Sequence, residues 1–149
     1  TPGFGEIYED NSTGLDNENN SQSNIAWVLG TGKRNFIGYP YTSVSERRAT
    51  LIHEFVHTLG AVLPEAPQST PGFHCLDKND VMCYNDHTSD KKTYVRCSKN
   101  ILRLDCGKDT YFNPNPEKTG WIGENWNTAD SPYLYGSRLR AEAEKEAVN

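Results

Sequence analysis

At 149 residues, with 35% hydrophobic and 23% charged residues, 12 glycines and 8 prolines, the chain has the size of one loop-rich globular domain with material for a single small core. Its formal net charge of −5 and the absence of a lysine/arginine stripe remove the electrostatic footprint of a nucleic-acid binder. No run approaches the roughly 18 apolar residues of a membrane span, and the opening TPGFGEIYED lacks a basic-then-apolar character, so the expectation is a mature, soluble product with no membrane partner.

In chain order, residues 6–9 (EIYE) and 25–30 (IAWVLG) read as two strands, separated by the asparagine-rich stretch DNSTGLDNENNSQSN, which is expected on the surface. Asn11-Ser-Thr and Asn19-Asn-Ser match the glycosylation acceptor pattern, a motif common by chance. The clearest helix runs over about 44–59. Ser43 and Glu46 form a capping box, and Leu51, Ile52, Phe55, Val56 and Leu59 recur at helical spacing as an apolar stripe. Gly60 is its left-handed terminator, and Pro64 and Pro67 block continuation. Residues 64–90 show no sustained period. From 107 to 136, turn signals alternate with Tyr111, Phe112, Trp121, Trp126, Tyr133 and Tyr135, which are expected to pack the lower core. The domain is drawn at 1–136, and SRLRAEAEKEAVN, 137–149, reads as a charged, solvated C-terminal tail or helix.

Cys75, Cys83, Cys97 and Cys106 show no C-x-x-C spacing, so two disulfides formed in an oxidising, extracellular compartment are the simpler reading. Of three connectivities, Cys75–Cys83 with Cys97–Cys106 is preferred because short loops close easily. Asp105, Asp109, Asn113 and Asn115 could gather oxygens for calcium, but their spacing is not that of an EF-hand and favours a turn network of self-bonding Asx side chains.

The chemistry gathers at residues 53–84, which hold three of the four histidines and the only methionine. In His53-Glu54-Phe-Val-His57, two imidazoles one helical turn apart can converge on one metal ion, while Glu54 projects beside the ion and is placed to take a proton from a water held there. The bland alternative is a pair of buried histidines satisfying polar neighbours. Gly60, three residues after His57, lets the chain leave the helix abruptly and bring a third ligand. Farther on, DVMCY sets Met82 in a tight segment with Tyr84 two residues later.

HEFVHTLG with a downstream Met-turn resembles the metzincin zinc endopeptidases, and more closely the secreted zinc proteases of filamentous bacteria, over residues 25–112. The resemblance implies an α+β zincin fold: a twisted sheet packed on an active-site helix, followed by a loop-rich, disulfide-bonded C-terminal subdomain. It implies one catalytic zinc and peptide-bond hydrolysis, with Met82 forming an apolar floor beneath the metal. The usual third ligand lies three residues after the glycine, where this chain has Leu63. Some metzincins carry an insertion there, and His74, reached through the turn-rich AVLPEAPQSTPGF, is the preferred replacement, with Asp77 second and Asp80, Glu65 and His87 behind. Tyr84 matches the position of a metzincin tyrosine that hydrogen-bonds the tetrahedral intermediate; a packed surface tyrosine is the alternative.

The reading is therefore a secreted zinc-dependent endopeptidase: zinc on His53, His57 and His74, a zinc-activated water with Glu54 as general base, and Tyr84 at the oxyanion. Its partner is a protein or peptide substrate, extended along the strand of IAWVLG. The alternatives are a catalytically inactive zinc-stabilised binding module and a disulfide-bonded interaction protein without metal. Because only 52 residues precede His53, an N-terminal fragment or a second chain is expected to complete the sheet.

Overall fold

A computed structural model describes residues 3–20, 24–28, 44–83, 86, 93–99 and 102–147. A short strand β1 (Gly3–Gly5) pairs antiparallel with β2 (Ala26–Val28) in the register Gly3–Val28, Phe4–Trp27, Gly5–Ala26, and the pair packs on helix α1 (Val44–His57). With its loop-rich, doubly disulfide-bonded second half, the chain is a small α+β protein.

The first strand thus lies at 3–5, before the expected 6–9. Alternation along β1 turns Gly3 and Gly5 towards α1, and there is no room for a side chain on either. A Cβ on Gly3 would sit 2.5 Å from Glu54 Cγ, and one on Gly5 would overlap the Glu54 carbonyl and lie 2.7 Å from His57 Cβ. Glycine is a poor strand former by propensity, but here it permits the close approach of strand to helix. Residues 6–9 carry no ladder. Instead the Asn19 side chain receives the Tyr8 amide on Oδ1 (3.0 Å) and donates from Nδ2 to the Tyr8 carbonyl (3.1 Å), doing with one amide group what a neighbouring strand would do.

This overturns the expectation of a purely superficial asparagine-rich connection. Asn17 and Asn19 are buried, at 2% and 0% exposure. Asn17 Nδ2 donates to the carbonyls of Asp10 (2.9 Å) and Ser12 (2.7 Å), and the Asp10 carboxylate accepts from the amides of Ser12 and Glu18. Asn19 therefore has no space for a glycan, and Asn11 Nδ2 is engaged at 2.6 Å with Glu65 Oε2.

Ser43 of the expected capping box lies outside the described residues. The helix ends at His57, two residues early, and tightens into a Schellman terminator: Gly60 takes φ +78°, its amide reaches His57 O (2.9 Å), and the Ala61 amide reaches Val56 O (3.3 Å). The buried face is Ala49, Ile52, His53, Val56 and His57, at three- and four-residue spacing. Leu51 and Phe55, expected in the apolar stripe, lie on the adjacent face and are 57% and 47% exposed. A stripe traced through apolar residues alone is rotated away from the true face, because two of its positions are histidines.

The main core joins Val56, Ala61, Val62, Cys75, Val81, Met82 and Tyr111. A second cluster joins Leu63, Trp126 and Leu139. Helices α2 (Trp121–Glu124) and α3 (Arg138–Glu146) lie in the second half, and Leu139 belongs to α3, which Ser137 caps by accepting the Arg140 amide at 3.2 Å. At 1% exposure Leu139 makes the start of the supposed tail part of the core, whereas the charged remainder of α3 is mostly exposed. The lower aromatics divide: Tyr111 and Trp126 are buried, and Tyr133 and Tyr135 are exposed. No helix of the described residues is long and apolar enough to cross a membrane. The disulfides are Cys75–Cys83 and Cys97–Cys106, with Cα separations of 4.3 and 5.2 Å.

Candidate metal centre

Helix α1 delivers His53 and His57 one turn apart, and their Nε2 atoms lie 3.1 Å from each other. Two nitrogens bound at 2.0–2.1 Å to one tetrahedral zinc would be separated by about 3.3 Å, so the pair is already spaced for a shared ion. His53 Nδ1 lies 2.7 Å from the carbonyl of Val81, which holds the proton on Nδ1 and leaves the Nε2 lone pair for a ligand. The His74 ring stacks near His53 at a centroid distance of 5.2 Å and stands edge-on to His57 at 5.3 Å. One ligating atom from each of the three histidines lies within 4.8 Å of the other two.

All three rings are buried, at 5–8% exposure. Burial disfavours the imidazolium, lowering the pKa of His53 to about 4 and that of His57 to about 2; burial also lowers His74, against the opposing pull of Asp86. At neutral pH the three rings are therefore neutral, the form that binds a metal. Three buried, neutral imidazoles, each offering a ring nitrogen within 4.8 Å of the others, fit a metal ion such as zinc.

Glu54 is 2% exposed, and its Oε1 has no hydrogen-bond partner. Burial raises its pKa to about 7. It faces a cleft of about 150 Å³ lined by Gly3, Phe4, Gly5, the three histidines, Gly72 and Phe73. Among the described residues, the strand bordering this cleft is β1 and not β2.

Leu63, in the place of the usual third ligand, is a core residue against Trp126. The chain then turns through 64–73 and doubles back, with Thr70 N donating to His74 O at 2.7 Å and Phe73 N to Thr70 O at 3.2 Å. Val62, Gln68 and Phe73 hold positive φ along this path, a conformation that costs L-residues energy and that the surrounding packing must impose. The other ligand candidates among the described residues are used elsewhere. Asp77 is bonded to Arg96 Nε (2.9 Å) and to the Arg96 amide (2.7 Å), Asp80 Oδ1 accepts from Met82 N and Tyr111 Oη (both 2.8 Å), and Glu65 holds Asn11. Cys75 and Cys83, which approach Asp80, are oxidised to a disulfide and offer no thiolate. Met82 is fully buried in the core that includes Val56 of α1. Tyr84 and His87 lie outside the described residues.

The suggested calcium ligands form a turn network instead. Asp105 Oδ2 accepts the amides of Thr110, Tyr111 and Phe112 at 2.7–3.0 Å, Asn113 Oδ1 accepts from Asn115 N, and Asp109 pairs with Arg96.

Three contributors escaped sequence reasoning: the Val81 carbonyl, the glycines of β1, and Asp86, whose Oδ2 lies 3.0 Å from His74 Nδ1. A carbonyl has no side-chain signature. Asp86 carries a carboxylate, but nothing in its spacing from His74 marks it as that ring's partner. In comparisons with protein-family models, curated proteins and solved structures, nothing matches this chain.

Proposed function

We propose that the chain is a secreted, zinc-dependent endopeptidase of metzincin-like type, with zinc on His53, His57 and His74 and Glu54 as general base. The observation that carries the reading is the pairing of a buried three-histidine cluster with a buried carboxyl whose Oε1 is unpartnered, both facing one cleft. A purely structural metal site has no use for such a carboxyl.

Zinc on three imidazoles would supply a Lewis acid and lower the pKa of a water in its fourth position. Glu54 would serve as general base and then general acid, its carboxyl holding the proton that passes from water to the leaving amine. In the metal-free protein burial pushes this carboxyl up to about 7, so it exchanges a proton near neutral pH there. β1 and Phe73 line the cleft, and an extended peptide would lie along the β1 backbone. Tyr84 serves as oxyanion donor, and Met82 fixes the floor. The two disulfides support an extracellular setting.

The deciding experiment is Glu54→Ala: zinc stoichiometry stays at wild type while cleavage of casein or a peptide library falls by about 10²–10⁴, the range for a lost acid–base group. Zinc-loaded wild-type protein that cleaves nothing would favour the inactive binding module.

A further inference from the structure

His74 differs from the other two histidines in how it is held. His53 and His57 ride on α1, whose backbone fixes their spacing, but His74 sits in an irregular segment, 17 residues after His57, with no helix or strand to set its ring. What surrounds it is a compact clamp. Asp86 Oδ2 lies 3.0 Å from His74 Nδ1 and accepts from Thr70 Oγ1 at 2.7 Å. Thr70 Oγ1 in turn accepts the His74 amide at 3.3 Å, and Thr70 N donates to His74 O at 2.7 Å. Gly72 completes the seat, because a Cβ there would overlap Asp86 Oδ2 and come within 3.0 Å of its Cγ.

We propose that Asp86, aligned by Thr70 and admitted by Gly72, is the positioning residue that makes His74 a competent third ligand. The inference rests on the zinc reading above. Its chemistry is that of a carboxylate–histidine–metal relay. The carboxylate holds the proton on Nδ1, turns Nε2 towards the ion, and makes the imidazole a stronger donor. Among the described residues, a carboxylate bonds the ring of His74 and not those of the other two ligands. His53 rests on the neutral Val81 carbonyl, and His57 stands beside the neutral backbone of Ala61. The charge-assisted support thus falls on the ligand with the least backbone support, which is where it has most effect. The same arrangement explains how the displaced ligand works: Asp86, beyond Met82 in the chain, supplies the anchor that the helix gives to the other two.

The test is a zinc dissociation constant, measured by competition with a chromogenic chelator, together with the visible spectrum of the cobalt-substituted protein. Wild type is measured first, and failure to bind zinc there would sink the zinc reading itself. Given zinc binding, Asp86→Ala weakens zinc affinity about 10–100-fold and alters the cobalt spectrum, while metal-free far-UV circular dichroism is unchanged. Asp86→Asn, which keeps an acceptor of the same size without the charge, restores part of the affinity. Gly72→Ala leaves Asp86 in the chain but displaces its carboxylate, and reproduces the loss. Wild-type zinc affinity and an unaltered cobalt spectrum in both Asp86→Ala and Gly72→Ala overturn the proposal.

Discussion

Gly60 and Gly136 share almost the same left-handed backbone, φ +78° and +77°, but not the same surroundings, and that difference sets a measurable prediction. A left-handed L-residue costs about 1–2 kcal/mol at either position. At Gly136 a Cβ would meet nothing within 4 Å, so Gly136→Ala should cost that and no more. At Gly60 the Cβ would lie 2.5 Å from Trp126 Nε1 and 2.8 Å from Asn19 Cγ. Relief requires moving a buried indole that donates to Leu59 O at 2.8 Å, and an asparagine that holds Tyr8 by both backbone groups. A buried hydrogen bond left unmade adds about 1–3 kcal/mol. Gly60→Ala should therefore cost about 2–5 kcal/mol in total, roughly 2 kcal/mol more than Gly136→Ala. Urea unfolding of the metal-free, oxidised proteins at equal m-values reads both numbers. Equal losses at the two glycines would refute the claim that close packing, rather than backbone conformation alone, reserves position 60.

Three further outcomes are expected. His74→Ala should lose more zinc affinity than the roughly 10–100-fold that removal of a supporting partner costs, whereas Asp77→Ala should keep zinc, since Asp77 holds Arg96; dialysis followed by metal analysis checks both. Tyr84→Phe should lower kcat by roughly 10²–10³ with little change in KM, as for a donor used mainly in the transition state, and an unchanged kcat returns Tyr84 to a packing role. Asp80, whose pKa burial raises from 3.8 to about 6, binds its proton more tightly folded than unfolded, so its contribution is fully present below pH 3.8 and lost as pH rises through 6. The stability of Asp80→Asn relative to metal-free wild type should thus rise by up to about 3 kcal/mol between pH 4 and 7. A difference that does not change with pH would contradict it.

The sequence by itself determined the features that local chemistry dictates. His53 and His57 face the same way because a helix places residues four apart on one side, and Gly60 ends that helix because it tolerates a positive φ. The short-loop disulfide pairing was readable for a similar reason, since close spacing favours closure. Tertiary structure decided the rest. The strand at 3–5 was hidden because glycines carry no strand signal, and their use appears only when α1 lies against them. The burial of Asn17 and Asn19 was hidden because an asparagine reads as polar until its amide is seen replacing a strand's hydrogen bonds. The face of α1 was misplaced at Leu51 and Phe55 because burial follows position around the helix, not hydrophobicity, once a histidine cluster occupies the inner side. Asp86 and the Val81 carbonyl meet the histidines only through contacts 12 and 28 residues apart in the chain, which no local pattern encodes.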